Sequence, residues 1–159
     1  PVTETLNAEL CLRKRIERLI YPVSFYRNKA RHVRATSRIL VDRFGGKVPR
    51  TLDELLTLPG VGRKTANLVL ILAFGSERHI CVDTHVHRIA NRLGWVRTKT
   101  PDESEQALYR ATAARWWPSL NLYLVTWGQN VCRPVYPRCG ACLIRPFCRQ
   151  VGVTRMSKS

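Results

Sequence analysis

Apolar residues recur along this chain every three or four positions, the spacing that lines one face of an α-helix. No stretch shows the alternation of apolar and polar residues that marks a half-buried β-strand. The spacing predicts seven helical segments: Thr5–Ile20, Asn28–Phe44, Thr51–Leu58, Arg63–Phe74, Asp83–Leu93, Thr100–Trp117 and Pro118–Trp127. The pattern of hydrophobic positions therefore predicts an all-helical fold.

Turn and capping residues mark the ends of several of these helices. Thr51 with Glu54, and Thr100 with Glu103, have the spacing of a capping box, in which each side chain bonds a backbone N–H at the helix start. Gly45 follows the second segment, and glycine often ends a helix because it tolerates a positive φ.

The charge balance of the chain is strongly basic. Lys and Arg number 27 against 11 Asp and Glu, which gives a formal net charge of +16. Small soluble domains usually carry single-digit net charge, so this surplus favours a polyanionic partner such as nucleic acid over a merely well-solvated surface. We expect no membrane contact, because the sequence contains neither a long apolar run nor a basic amphipathic helix distinct from the core pattern.

The cysteines indicate the compartment. Four of the six lie after position 131, whereas a secreted disulfide scaffold would spread them through the chain. The first residues, Pro1-Val2-Thr3-Glu4, do not resemble a signal peptide. We therefore expect an intracellular protein, in the cytoplasm and nucleoid of a bacterium or in the nucleus or mitochondrion of a eukaryote. Cys11 and Cys81 have no role that the sequence assigns.

The C-terminal cysteines have the spacing of a metal site. Gaps of six, two and five residues separate Cys132, Cys139, Cys142 and Cys148. Structural zinc is usually bound by two cysteine pairs. The two cysteines of each pair are close in sequence, and a longer span separates the pairs. Here only Cys139 and Cys142 form such a pair. The compact spacing favours an iron–sulfur cluster, with a four-thiolate zinc site as the alternative. The segment from Cys132 onward is rich in proline and loops, so it needs a bound metal centre as a cross-link in order to fold.

Two arginines lie between the first two of these cysteines. Arg133 and Arg138 are predicted to contact phosphates, because a cluster would hold their loop at both ends; solvated loop charge is the alternative. An oxidised four-iron cluster with four thiolates carries about −2, so a surplus of about +14 would remain to attract DNA.

A glycine-rich turn, Leu58-Pro59-Gly60-Val61-Gly62, separates two of the predicted helices. Glycine lets a phosphate approach the backbone closely, and the N–H groups of such a turn and of the next helix's first turn can face an anion. The predicted DNA contacts here are Gly60, Val61, Gly62, Arg63 and Thr65. A plain turn between two helices is the alternative.

Lys64 is a candidate nucleophile. It lies in the first turn of its predicted helix, where the helix dipole and the adjacent Arg63 both disfavour an ammonium group. A Schiff-base nucleophile must be a free amine. On local sequence alone, an exposed surface lysine is the favoured interpretation.

Asp83 and two histidines begin the fifth predicted helix. Asp83 is either an ordinary N-cap or a carboxylate that activates the nucleophile and stabilises positive charge on a sugar. His85 faces the same site or is a structural histidine. His87 is predicted to be a surface residue.

Three motifs together resemble endonuclease III and its relatives, the helix–hairpin–helix DNA glycosylases. They are Leu58-Pro59-Gly60-Val61-Gly62-Arg63-Lys64-Thr65-Ala66, Val82-Asp83-Thr84-His85 and the six–two–five cysteine spacing. The resemblance runs from about Val23 to Cys148, and the motifs occur in the order that the family has.

The resemblance implies an all-helical fold of two lobes with DNA between them. Residues 1–76 would form a helical barrel lobe that contains the hairpin, and residues 77–159 a lobe that holds a [4Fe-4S] cluster on the four cysteines. The implied partner is double-stranded DNA containing damaged bases or abasic sites, bound by a monomer. The family normally has leading helices before the point where this chain starts, and those helices are absent here.

The resemblance also implies a reaction. Lys64 would attack C1′ of a flipped-out nucleotide with Asp83 as the essential carboxylate, and β-elimination would then cut the strand. Oxidised pyrimidines are the expected bases, and T or U opposite G is an alternative.

Phe25 falls where the family inserts an apolar wedge, although it could be a core aromatic, and His85 matches a pocket histidine. A non-catalytic module that recognises damaged DNA, and a zinc-stapled interaction domain, are the other hypotheses.

Overall fold

The computed structural model describes residues 12–157, and all regular secondary structure in that range is helical. Residues 12–20 form helix α1. The other helices are α2 Tyr26–Phe44, α3 Leu52–Leu56, α4 Arg63–Phe74, α5 Thr84–Leu93, α6 Pro101–Ala111 and α7 Trp117–Asn130, with 3₁₀ turns at Ala114–Trp116 and Arg145–Phe147. The prediction of an all-helical fold is confirmed. Cys11 and the start of the first predicted helix lie outside the described residues.

Helices α3 and α6 are shorter than their sequence patterns suggest, and the difference is larger in α6. Helix α6 was expected to continue to Trp117 but ends at Ala111. Thr112 leaves the helix in an extended conformation, and its hydroxyl and its backbone N–H both donate to the Leu108 carbonyl, at 2.7 and 3.0 Å. The Trp117 indole N–H then donates to the Thr112 carbonyl at 3.2 Å. These bonds satisfy the end of α6 and turn the chain into α7.

The threonine half of each predicted capping box is present, whereas Glu54 accepts from the Thr51 hydroxyl and Glu103 from the Lys99 N–H. The Glu54 backbone N–H donates to Thr51 Oγ1 at 3.3 Å, and the Glu103 N–H donates to Thr100 Oγ1 at 3.2 Å. Each cap satisfies one of the N–H groups that have no partner inside the helix.

The chain divides into two compact units, residues 1–62 and 63–159. This division falls at Gly62, earlier than the lobe boundary at residue 76 that the resemblance implies. In the first unit, Ala30, Leu55 and Leu58 are buried. Thr36 on α2 donates its hydroxyl proton to the Pro59 carbonyl at 3.0 Å, so α2 supports the glycine-rich turn.

The second unit has one apolar core, to which α5, α6 and α7 all contribute. Its buried members are Ile80, Val82, Val86, Ile89, Ala90, Leu93, Leu108, Leu120 and Leu124. The segment that leads into α5 runs through this core. The Ile80 N–H donates to the Tyr109 hydroxyl at 3.1 Å, and Asn121 on α7 donates its amide proton to the Cys81 carbonyl at 3.2 Å. These bonds fix the position of Asp83 at the start of α5.

No helix within residues 12–157 combines the length and the apolar character that a bilayer crossing requires.

Candidate active site and metal centre

Asp83 caps helix α5. Its Oδ1 accepts hydrogen bonds from the backbone N–H groups of His85 and Val86, both at 2.9 Å. The side chain is only partly buried. The capping role that the sequence allowed is therefore present, and it occupies one carboxylate oxygen. The second oxygen takes no part in those two bonds, so capping does not exclude a chemical role for the same side chain.

Lys64 lies in the first turn of α4, with an exposed side chain. Its backbone carbonyl accepts a hydrogen bond from the Cys81 thiol, with a sulfur–oxygen distance of 3.4 Å. Cys81 precedes Asp83 by two residues, so this bond joins α4 to the segment that carries Asp83. The structure thus brings the two predicted catalytic residues onto neighbouring elements, with Cys81 between them.

Cys81 is fully buried, and burial raises the pKa of its thiol to about 11. The charge of Lys64 opposes this rise, whereas the charges of Asp83 and Glu105 add to it. Both predicted catalytic groups are therefore electrostatic neighbours of this thiol. The sequence assigned Cys81 no role, and no motif could have found it, since its importance comes from the contact between two distant segments.

Arg63 forms a bidentate ion pair with Glu105 on α6. The Arg63 Nε and Nη2 atoms lie 3.1 and 2.6 Å from the two carboxylate oxygens. The hydrogen bond to Glu105 raises the pKa of Arg63 against the opposing effect of burial. Because Glu105 is only 2% exposed, this pair is a structural link between α4 and α6. The predicted DNA contact of Arg63 stays a prediction, and neither its backbone N–H nor its Nη1 takes part in the two bonds to Glu105.

The two glycines of the turn differ in what they need. Gly60 has a φ of +77°, and a Cβ there would lie 2.4 Å from Nδ1 of His32. Gly62 has neither a positive φ nor any atom within 4 Å of an added Cβ. The backbone conformation and packing of the described residues therefore require glycine at position 60, whereas they do not require it at position 62. Val61 closes the turn through its N–H to the Leu58 carbonyl at 3.1 Å, and Thr65 is exposed.

The two histidines of α5 are both partly buried. Nδ1 of His85 lies 3.0 Å from Nη2 of Arg88. Nδ1 of His87 lies 2.6 Å from the hydroxyl of Ser104, which is fully buried. The prediction of His87 as a surface residue is wrong, because α6 packs over this side of α5 and supplies a polar partner.

The four C-terminal cysteines line one cavity. Their neighbours there are mainly apolar and include Ile89, Leu93, Trp127 and Ile144. Burial raises the pKa of the Cys139 thiol, and the other three cysteines raise it further, which reflects how close the four sulfurs are. Two N–H groups already point at sulfur, from Arg92 to Cys132 and from the Gln150 backbone to Cys148, each at 3.4 Å.

A zinc ion and an iron–sulfur cluster place different demands on the spacing of the four cysteines. Within residues 12–157, no three His, Cys, Asp or Glu side chains are close enough together to hold one metal ion. Four thiolates around one zinc at Zn–S bonds of about 2.3 Å would have their sulfurs within about 4 Å of one another. The four thiols, with two N–H groups directed at their sulfurs, form a donor set that fits an iron–sulfur cluster.

The remaining predicted residues are on the surface. Arg133 and Arg138 are both exposed in the loop between Cys132 and Cys139. Phe25 is 81% exposed, so it is not the core aromatic that the sequence left open. It also has a φ of 57°, a left-handed conformation that is uncommon for a bulky residue and occurs often at functional sites.

Comparison with known proteins identifies the family. A family model described as "HhH-GPD superfamily base excision DNA repair protein" matches residues 8–114. The chain belongs to this HhH-GPD superfamily. Its helical architecture and the order of its motifs agree with that assignment, and the resemblance to endonuclease III is confirmed by the relatives that follow.

Endonuclease III of Thermotoga maritima is 48% identical over 130 residues, a match that covers 82% of this chain and 61% of that protein. A solved structure described as a trapped endonuclease III–DNA covalent intermediate has a TM-score of 0.80 at 38% identity, covering 87% of this chain and 65% of that one. A thermostable thymine-DNA glycosylase has a TM-score of 0.70 at 26% identity, covering 86% and 64%. The HhH-GPD chain spans between 36% and 62% of the length of its curated relatives.

Proposed function

We propose that this HhH-GPD protein is a DNA glycosylase with abasic-site lyase activity that removes oxidised pyrimidines from duplex DNA. The observation that carries the proposal is the linkage of Lys64 and Asp83 through Cys81, because it puts an amine and a carboxylate on adjoining elements. The similarity to an endonuclease III trapped as a covalent DNA intermediate supports the same chemistry.

Lys64 is the nucleophile in this proposal. Its neutral amine attacks C1′ of the damaged nucleotide, and the base departs with the electron pair of the glycosidic bond. Loss of a proton from nitrogen and opening of the sugar ring leave an imine between Lys64 and C1′. Removal of a C2′ proton then expels the 3′ phosphate, which breaks the strand. The exposed side chain of Lys64 on the first turn of α4 is accessible to such a substrate.

Asp83 contributes through its charge. A carboxylate near C1′ stabilises the positive charge that develops on the sugar as the base leaves, and it can accept the proton of the attacking amine. The two N–H bonds to Oδ1 hold the side chain in place before substrate binds.

DNA contacts come from three parts of the chain in this proposal. The backbone N–H groups at the start of α4 and those of the turn other than the N–H of Val61 bind phosphate, as do the exposed Arg133 and Arg138. Phe25, exposed and held in a left-handed conformation, fills the gap that the extruded nucleotide leaves. The net charge of +16 supplies the general attraction to the duplex.

A [4Fe-4S] cluster held by Cys132, Cys139, Cys142 and Cys148 completes the proposal. The four thiols line one cavity and would supply the four protein ligands that such a cluster needs. When bound, it acts as a cross-link that shapes the loop carrying Arg133 and Arg138. Those two residues then position phosphate.

A second substrate class has one observation in its favour. The similarity to a thymine-DNA glycosylase makes T or U opposite G an alternative base for the same site. The likeness to endonuclease III is greater in both identity and TM-score, so oxidised pyrimidines are the first choice.

The test is borohydride trapping on a duplex with one abasic site. Borohydride reduces the imine to a stable amine, so the wild-type protein should form a covalent adduct that peptide mapping locates at Lys64. Lys64→Ala should give no adduct and should still bind the duplex. Absence of an adduct with the wild-type protein would leave only the non-catalytic DNA-binding module.

A further inference from the structure

The ring of His85 is held in one orientation by Arg88. Nη2 of Arg88 lies 3.0 Å from Nδ1 of His85. A guanidinium group has donors and no acceptor, so Nδ1 must accept the hydrogen bond. The proton of the neutral ring is therefore on Nε2, at the opposite edge of the imidazole.

Arg88 is itself fixed by backbone carbonyls. Its Nε and Nη2 donate to the Cys132 carbonyl at 3.2 and 2.9 Å, and Nη2 also lies 3.3 Å from the Gly128 carbonyl. Nη1 lies 3.4 Å from the Thr84 carbonyl on its own helix. With these partners on α5, on α7 and after α7, the guanidinium cannot turn away from His85 without losing several bonds.

The backbone of α7 packs directly against this pair. A Cβ added at Gly128 would lie 2.4 Å from Nδ1 of His85 and 2.9 Å from Nη2 of Arg88. Gly128 is buried in the last turn of α7, and glycine within a helix weakens it by up to about 1 kcal/mol. Close approach to the His85–Arg88 pair gives a reason for glycine at this position.

The other edge of the ring has no such partner. Within residues 63–157 no hydrogen bond engages Nε2 of His85, and the residue is only partly buried. The backbone N–H of His85 bonds Asp83 Oδ1, so the ring projects from the same helix turn that Asp83 caps. The Nε2–H of His85 is thus a hydrogen-bond donor on a residue that follows Asp83, the proposed catalytic carboxylate, by two positions in the chain.

We propose that His85 presents its Nε2–H as a fixed donor to a carbonyl oxygen of the extruded base, with Arg88 as the positioning residue that sets this tautomer. The inference rests on the proposed glycosylase function and adds the feature of the base that the site recognises. Pyrimidine bases with an intact ring carbonyl offer such an acceptor. An oxygen of the sugar–phosphate backbone is the other possible source of the acceptor, and the test separates the two.

The tautomer is tested first, on the intact chain and without substrate. Long-range ¹H–¹⁵N correlation spectra should give His85 a protonated Nε2 and an unprotonated Nδ1. In Arg88→Met the two tautomers should mix. Arg92→Lys is the matched control, because Arg92 bonds the Cys132 sulfur and the Arg133 carbonyl and leaves His85 untouched. A protonated Nδ1 in the wild-type protein would overturn the proposal.

The contact between His85 and the base is tested with two substitutions that put amide side chains of different length at position 85. In His85→Gln the amide nitrogen can take the place of Nε2, whereas in His85→Asn the amide reaches only the position of Nδ1. We expect kcat/KM for removal of an oxidised pyrimidine to fall about tenfold to a hundredfold in the Asn variant and to recover largely in the Gln variant. Strand cleavage at a preformed abasic site, which has no base, should change less than about threefold in both.

The outcomes are distinct. Equal base removal by the Asn variant and the wild-type protein would overturn the proposed contact. An equal loss on the abasic duplex would also overturn it and would point to a sugar–phosphate oxygen. Failure of the wild-type protein on both duplexes would refute the glycosylase function, whereas the tautomer spectra would still report on the role of Arg88.

Discussion

Single residues in this protein often hold two roles, and the structure separates those roles better than the sequence can. Asp83 is an N-cap by geometry, and it is also the proposed catalytic carboxylate. Arg63 looked like a phosphate ligand, yet its guanidinium pairs with the buried Glu105. Cys81 had no motif, yet it joins the segments of Lys64 and Asp83. For Arg63 and Cys81, a contact distant in sequence decides what the side chain does.

The two roles of Asp83 can be tested by matched substitutions. Asparagine caps helices about as well as aspartate, whereas alanine costs about 1 kcal/mol. Asp83→Asn should therefore keep the free energy of unfolding within about 0.5 kcal/mol of wild type and still lose base removal, since only the charge is gone. Asp83→Ala should lose both. Chemical denaturation and single-turnover assays make the measurement, and full activity of the Asn variant would reduce Asp83 to a cap.

Burial of the Cys81 thiol predicts a pH dependence of stability. Its pKa rises from 9.0 to about 11 on folding. Below pH 9 the thiol is protonated in both states, so it has no effect on stability. Between pH 9.0 and about pH 11 the Cys81 thiol ionises only in the unfolded chain, so the free energy of unfolding falls as pH rises through that range. The thermal midpoint of the wild-type protein should therefore drop more steeply than that of Cys81→Ala. Parallel curves would contradict this prediction.

At the level of elements, short-range signals predicted helices well and their ends less well. Capping threonines and following glycines are local signals, and both predicted threonine caps form. The end of α6 was missed because Thr112 and Trp117 terminate it through bonds to Leu108 and to each other. A helical period continues through such a break, since a 3₁₀ turn keeps a similar spacing.

The glycine-rich turn offers a comparison between two neighbouring positions. Gly60→Ala should destabilise the protein by about 1 kcal/mol or more, because alanine resists the left-handed conformation and its Cβ would meet His32. Gly62→Ala should leave stability within about 0.5 kcal/mol, since its Cβ enters open space. We expect Gly62→Ala to weaken binding to duplex DNA all the same, because the methyl group keeps phosphate from the backbone. Unchanged DNA affinity in that variant would remove the turn from the proposed interface.

At the scale of the whole molecule, the loop after α7 depends on its cysteines. Cys132, Ile144 and Cys148 pack against the core of the second unit, but most of the loop's large apolar residues are exposed, including Leu143 and Phe147. Burial of so little apolar surface does not by itself hold a segment of this length. The proposed cluster supplies the missing constraint, and the loop arginines rely on it.

Metal analysis and ligand removal test this dependence. The purified protein should be brown and contain about four irons per chain. Cys139→Ala should lose the iron and the colour, lower the thermal midpoint and weaken DNA binding through the loop. Cys81→Ala should keep the iron, which controls for loss of any cysteine. Stoichiometric zinc in place of iron would refute the cluster and favour a zinc-stapled domain.

The sequence alone determined the helical class, the basic character, the spacing of the four C-terminal cysteines and the family, because all of these are expressed in local spacing, composition or short motifs. Only the tertiary structure decided which side chains meet. It paired Arg63 with Glu105, put Cys81 between Lys64 and Asp83, and turned His85 by means of Arg88. Such pairings join residues far apart in the chain or depend on packing between helices, and no periodicity or motif records which helix faces will be in contact.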